Sequence, residues 1–379
     1  MGPLTGIRVA DFTRVVAGPY CTMLLGDLGA EVIKIEQPGK GDDTRTWGPP
    51  FVAGESTYFL SLNRNKRSVC LDLQSAEGLA HARALILQSD ILVENFRPGT
   101  MDRLGLGYAT LRVEQLRLIY CAISGYGQTG PYRDRAGYDV VVQALGGLMG
   151  ITGTPDGPPV KTGVALVDMA TALYASSGIL AALYHRERTG EGQRIDISLL
   201  STELATLINV ASAYLIAGET PARQGTAHPS IVPYQVFQAA DGYLMVGALN
   251  DRMFGQLSNA LGYPEWTTDP RFATNPDRVR YRETLVGLIE AILRADTAQA
   301  WEQRLQAAGV AVAPVNDLPQ VFADPQVLHS GQVTAVAHPS AGEVKLVGPA
   351  LILSETPAAV RLPPPMLGQH TEEVLRGLG

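Results

Sequence analysis

The chain has 379 residues, of which 46% are apolar and 18% charged, and its formal net charge is -7. At roughly 150 residues per domain the length suggests two or three domains, with enough core to stand without disulfide or metal staples. The acidic balance excludes a general binder of nucleic-acid backbones, which carries a basic excess, but leaves room for a local cationic pocket. The charged fraction lies below the usual figure of about 25%, which points to surface hidden in a large core or an oligomer interface.

Short segments rich in Val, Ile and Leu predict strands at Ile7–Phe12, Glu31–Glu36, Ser68–Leu73, Asp90–Asn95, Leu118–Ile123 and Arg194–Leu199. Helical periodicity fills Tyr20–Leu28 and Ala76–Gln88 between them. Strands alternating with helices imply an α/β class with a parallel sheet covered on both faces. Val164–Val167 predicts a further strand, followed by a helix from about Met169 to Arg188 that Thr189-Gly190-Glu191-Gly192 stops. Ser201–Ala217 reads as another helix. From Gly218 the character changes, with Pro221, Pro229 and Pro233 punctuating a loop-rich stretch. Tyr243–Leu249 then reads as a strand, and Tyr281–Arg294 and Ala298–Ala308 as helices, giving a smaller α/β domain over 220–330. The large domain takes 1–219 and 331–379, and the proline-rich tail ends in a helix at Glu372–Leu378.

Three features address compartment. The most apolar stretch, Val164–Tyr184, is interrupted by Asp168 and Ser176-Ser177 and reads as buried core, not as a membrane span. Met1–Asp11 lacks the charged start and apolar core of a secretory signal. Cys21, Cys70 and Cys121 are scattered without CxxC, as expected of reduced thiols in the cytoplasm.

Four constellations could carry chemistry. The strand–loop–helix–strand unit from Ile7 to Glu36 has the layout of a dinucleotide site with Glu36 on a ribose, but its loop reads Val15-Val16-Ala17-Gly18-Pro19, without GxGxxG. Asn63-Arg64-Asn65-Lys66-Arg67-Ser68 places three cations in a stretch with no acid between Glu55 and Asp72, which suits a phosphate or a solvated loop. Val93-Glu94-Asn95-Phe96-Arg97-Pro98-Gly99, then Arg103, sits after a strand, where open α/β sheets bind ligands. The alternative is an ordinary Pro-Gly turn. Asp168 falls between an apolar strand and a long helix, where it is either a helix cap or an ionised nucleophile able to form a covalent intermediate. The six histidines show no metal-ligand spacing, so no metal is expected.

Taken together, these segments resemble the class III CoA-transferase (CaiB–BaiF) family over nearly the whole chain. The likeness runs through Gly6–Val9 with Ala17-Gly18-Pro19, Gly29–Glu36, Asn63–Ser68, Val93–Gly99, Gly125-Tyr126-Gly127, Gly137-Tyr138-Asp139 and Leu367–Thr371. Gly41–Phe51, Gly225–His228, Ile231–Gln235 and Pro325–His329 are similar to members that move CoA between succinyl-CoA and glutarate or 3-hydroxymethylglutarate. Formate, oxalate, mesaconate or malate transfer, a racemase and a CoA-binding protein without turnover remain the alternatives. The resemblance implies an interlocked homodimer, each chain having a Rossmann-like large domain and a smaller one, with coenzyme A as the only cofactor, entering as acyl-CoA. It implies Asp168 as the nucleophile. It implies CoA contacts at Val16, Ala17, Lys66, Arg67, the strand Leu71-Asp72-Leu73-Gln74, Asn95, Phe96, Arg97, Arg103, Ala136, Gly137, Tyr138 and Asp139, with Gln37 where some members carry Arg. Arg45 and His228 are the candidates for the acceptor carboxylate. Racemases of the same fold carry His at the position of Tyr138, and a phenol titrating near 10 is a poor exchange base.

Overall fold

A computed structural model describes residues 1–378. They divide into two units. The first comprises 1–148, 161–219 and 326–378, and the second 149–160 and 220–325.

The first unit is built on six strands: β1 (Arg8–Phe12), β2 (Glu31–Glu36), β3 (Lys66–Cys70), β4 (Ile91–Glu94), β5 (Ile119–Ser124) and β6 (Arg194–Ser198). All pair in parallel, in the order β3-β2-β1-β4-β5-β6. This is the Rossmann order, and it reverses between β1 and β4. Alternation along the strands feeds two cores. Val9, Val32, Val93, Cys121 and Ile123 pack against helices α1 (Ala17–Asp27) and α5 (Leu166–Thr189). Ala10, Phe12, Ile33, Leu92 and Tyr120 face the other way, toward α3 (Ala76–Leu87). Helices α2 (Thr57–Leu62), α4 (Asp139–Leu145), α6 (Leu199–Thr206), α7 (Ile208–Ala217) and the C-terminal α11 (Thr371–Arg376) complete the unit.

The structure departs from the sequence reading where short apolar runs were ambiguous. No strand forms at 164–167; α5 begins at Leu166, so Asp168 lies inside its first turn. The expected single helix over 201–217 is two, α6 and α7, bent by 78° at Leu207. Lys66–Cys70 starts and ends before the predicted strand, leaving Leu71–Gln74 in the turn that follows. By length and composition α5 is apolar enough to cross a bilayer, and Val167, Ala172, Ala175, Ile179 and Ala182 on it are core residues of the unit.

The second unit has an antiparallel sheet of β7 (Tyr234–Gln238), β8 (Tyr243–Gly247) and β9 (Ala311–Pro314), with β8 central. Helices α8 (Asp251–Leu261), α9 (Arg282–Leu293) and α10 (Ala298–Ala307) bury Phe254, Leu257, Leu285, Ile289, Trp301 and Leu305 against it. Segment 149–160, counted with the large domain from sequence, packs in this unit.

Candidate active site

At the switch point the chain leaves β1 through Thr13–Val16, and this loop is unusually constrained. Asn95, just after β4, accepts from the Arg14 N–H (2.8 Å) and donates to its carbonyl (2.7 Å). The buried Lys34 ammonium donates to the Thr13 carbonyl (2.8 Å) and pairs with Asp42 (2.9 Å). Asp42 in turn accepts from the Val15 N–H (3.3 Å). Val15 is thereby held at φ 71, a left-handed conformation costly for a β-branched residue. The structure therefore uses a network of side chains where a dinucleotide fold uses glycines. The turn delivers the first residues of α1, whose amides carry no side-chain cap, to the mouth of a cleft.

That cleft is an open concavity at the carboxyl ends of the strands. Its wall comes from the ends of three strands: Arg14–Ala17 after β1, Asn95–Pro98 after β4 and Ser124–Gly125 at β5, joined by Arg133, Arg135–Tyr138 and Asp168. Asp168 sits where the first turn of α5 meets the cleft and is 9% exposed. Burial first, and then the charge of Asp139, push its carboxyl up to about 7. Asp139 itself caps α5 from a distance: one carboxylate oxygen accepts from Val167 N–H (2.8 Å) and Asp168 N–H (3.1 Å), and the other from Gln143 (2.6 Å). Its position depends on Gly125 and Gly137, since a Cβ on Gly125 would lie 2.6 Å from the Gly137 Cα. Only two glycines let β5 and the entry to α4 approach this closely.

A second cleft of about 920 Å³ adjoins the first and shares Arg14 and Phe96 with it. Leu71–Gln74, Gln37, Thr100 and Leu104 line it. Phe96, over which the Arg14 guanidinium sits at 5.2 Å, forms the border.

Of the residues expected from sequence, Asp168, Val16, Ala17, Asn95, Phe96, Arg97, Ala136, Gly137 and Tyr138 converge on the first cleft, and Leu71–Gln74 on the second. Several expectations are corrected. Lys66 is fully buried, and its ammonium is held by Asp11 (3.1 Å), the Pro19 carbonyl (2.8 Å) and Asn63 (3.0 Å), so it meets no phosphate. Arg67 pairs with Glu31 (2.6 Å) and Glu373 (2.8 Å). Arg64 is taken by Asp27 (2.6 Å). The cations that lacked acids in sequence find them across the fold. Arg45 grips Glu36 through two 2.7 Å bonds, donates to the Pro365 carbonyl (3.1 Å), covers the Phe59 ring at 3.7 Å and lines neither cleft, so it does not face an acceptor carboxylate there. The carboxylate of Asp139 and the amide of Asn95 serve the protein scaffold in the manner described above. Arg103 lines neither cleft; it donates to Thr100 (2.9 Å). His228 lies in the second unit, where its ring accepts from Ser230 N–H (3.1 Å) and meets Tyr234 edge-on at 5.5 Å.

Tyr58 was missed from sequence. On α2, edge-on to Trp47 at 5.1 Å, its phenol is pushed up by burial and by the charges of Asp168 and Asp139, so it lies within electrostatic reach of both carboxylates. A lone tyrosine in a helix carries no local signal of such a role. Arg133 and Arg135 were missed as well, because their loop has no regular period. Among the described residues, no cluster of His, Cys, Asp and Glu could hold a metal ion.

The pattern of CoA-transferase family III matches residues 4–371. The chain is 47% identical over 376 residues to a succinyl-CoA:glutarate CoA-transferase of Mus musculus, covering 99% of this chain and 86% of that one. It is 43% identical over 387 residues to a succinate–glutarate CoA-transferase of Agrobacterium fabrum, covering 99% and 96%. A crystal structure of a CAIB/BAIF family protein from Brucella suis superimposes with a TM-score of 0.89 at 40% identity, covering 100% of both chains.

Proposed function

The chain belongs to CoA-transferase family III, and on that footing we propose that it moves CoA between succinyl-CoA and a dicarboxylate, glutarate or 3-hydroxymethylglutarate, through a thioester on Asp168. The observation that carries this reading is a buried carboxylate with no cation paired to it, in an arginine-walled cleft at the switch point of a parallel sheet.

The chemistry follows from that placement. The Asp168 carboxylate attacks the succinyl thioester carbonyl, the C–S bond breaks, and a mixed anhydride and CoA thiolate result. The thiolate attacks the Asp168 carbonyl and expels succinate, leaving an aspartyl-CoA thioester. The acceptor carboxylate attacks that carbonyl and releases the thiolate, which attacks the acceptor's carbonyl and frees Asp168 as a carboxylate. One thioester replaces another, so the exchange is nearly balanced and needs no ATP. Burial raises the free energy of the charged carboxylate relative to the neutral anhydride and thioester, which favours acylation. The uncapped amides at the start of α1 are donors for the oxyanions.

Two measurements test this. Protein incubated with succinyl-CoA and a panel of glutarate, 3-hydroxymethylglutarate, oxalate, formate, mesaconate and malate should yield glutaryl-CoA or 3-hydroxymethylglutaryl-CoA by mass spectrometry. Absence of transfer to any dicarboxylate of four to six carbons would sink the reading. Because Asp168 must be ionised to attack, kcat/KM should fall as pH drops below about 7. Asp139→Asn keeps an acceptor for the α5 amides but removes the neighbouring charge, so this limb should move to lower pH. A limb that stays in place in that variant argues against Asp168 as the titrating group.

The reading includes a homodimer. Leu173, Tyr174, Leu180 and Tyr184 on α5 and Tyr214, Leu215 and Ile216 on α7 are exposed, an apolar surface of the kind a second copy covers; light scattering at twice the chain mass checks it. The three cysteines are free, which supports a reducing cytoplasm; fractionation of producing cells checks that assignment.

A further inference from the structure

Helix α5 carries Asp168 in its first turn, yet its own sequence supplies no cap. The residue at its N-cap position is Ala165, which has no polar side chain. The chain enters the helix through an inverse γ-turn: Ala165 has φ -73 and ψ 71, and the Leu166 N–H donates to the Val164 carbonyl (2.8 Å). The amides of Val167 and Asp168, left without partners by the helix start, are met by one oxygen of Asp139 at the head of α4. The backbone that carries the nucleophile therefore depends on whatever holds Asp139.

Gln143 holds it. One turn further along α4 and fully buried, Gln143 donates from Nε2 to the other Asp139 oxygen (2.6 Å) and to Oγ1 of Thr162 (3.0 Å), and its Oε1 accepts from the Thr162 N–H (3.0 Å). Thr162 Oγ1 donates in turn to the Val164 carbonyl (2.8 Å), the acceptor of the γ-turn. The direction of each bond is fixed. A backbone N–H can only donate, so the Gln143 oxygen must face Thr162 and its NH2 must face Asp139. One amide thus ties the carboxylate that caps α5 to the segment that leads into α5. We infer that Gln143 is a positioning residue of the transfer reaction: it fixes the Asp139 carboxylate against the first turn of α5 and so holds Asp168 in place for attack on the thioester. This deepens the CoA-transferase reading above and rests on it. A displacement of about 1 Å at a reacting group can cost about 100-fold in rate.

The test is an exchange of groups in the intact chain. Gln143→Glu keeps the side-chain length and the acceptor for the Thr162 N–H, but sets a carboxylate against a carboxylate. Its kcat should fall about 10- to 100-fold, while KM for succinyl-CoA and for the acceptor stay within about threefold. Asp139→Asn makes the opposite mismatch, since its amide has one oxygen for two sets of donors, the α5 amides and the Gln143 NH2. Its kcat should fall as well. The double variant Asp139→Asn/Gln143→Glu turns every donor toward an acceptor again, so its kcat should exceed that of either single variant. A glutamine that merely fills space predicts the reverse, losses that multiply. Circular dichroism follows the folding of each variant; where Gln143→Glu does not fold, the double variant against Asp139→Asn decides alone. A double variant no faster than Asp139→Asn overturns the inference, as does a folded Gln143→Glu with full kcat or with the loss confined to KM. These outcomes leave the transferase reading intact, whereas a wild-type chain without transfer removes both.

Discussion

Asp168→Ala is expected to bind CoA and to lose acyl transfer by at least about 10⁴-fold, the scale on which removal of a covalent nucleophile acts. The cleft wall and the adjoining cleft do not depend on this side chain, so CoA affinity should hold within a few-fold. Intact-protein mass spectrometry after incubation with succinyl-CoA should show a CoA adduct on the wild type and none on the variant. Turnover retained within tenfold would exclude Asp168 as the nucleophile. The same residue should limit stability. Its folded pKa, about 7, lies above the unfolded value of 3.8. Below pH 4 the carboxyl is neutral in both states and costs nothing. As pH rises from about 4 to 7 the unfolded chain ionises it first, so folding loses stability, and the loss is complete above about 7. Asp168→Asn should therefore be more stable than wild type at pH 8, by on the order of 2–4 kcal/mol, and equal to it near pH 4. Equal melting temperatures at pH 8 would show that the carboxylate is not strained by its burial.

Lys66→Met should have the second large effect, on folding. The Lys66 ammonium is enclosed with Asp11, beside the Lys34–Asp42 pair. Removing it leaves the Asp11 carboxylate buried with less counter-charge, a change that costs about 3–5 kcal/mol. That is a large share of a typical folding free energy of about 5–15 kcal/mol. The variant should show a lower denaturant midpoint, while the protein that remains folded keeps its KM for CoA. Unchanged stability with a raised KM would instead return Lys66 to the CoA site.

The inner strands of the parallel sheet were legible because they are buried on both faces and rich in Val, Ile and Leu, as in Ile119–Ser124, whereas the edge strand Arg194–Ser198 alternates exposed Arg194 and Asp196 with Ile195 and Ile197. Val164–Val167 failed by the same rule: a short apolar run at the start of a helix looks like a strand. The break at Leu207 has no proline or glycine to announce it, so α6 and α7 read as one helix. Asp168 was singled out by its place between an apolar run and a long helix, although the residues that tune it, Asp139 and the surrounding burial, lie apart from it in sequence.

Charge is where the two levels diverge most. Along the chain, Arg64, Lys66 and Arg67 stand in a stretch without acids, and this suggested a phosphate site. In the fold they meet Asp27, Asp11 and Glu31, contributed by the first two strand–helix units. The unpaired cations of the cleft come instead from Arg97 and from Arg133 and Arg135, on a loop without a motif. The sequence by itself determined the α/β class and the approximate places of the sheet's strands, because these follow from local periodicity, and it marked Asp168 as a candidate without deciding between helix cap and nucleophile. The tertiary structure alone decided which charges are satisfied and which remain for a ligand. Ion pairing depends on distance in space, and a parallel sheet with crossover connections brings together residues that are far apart in the chain.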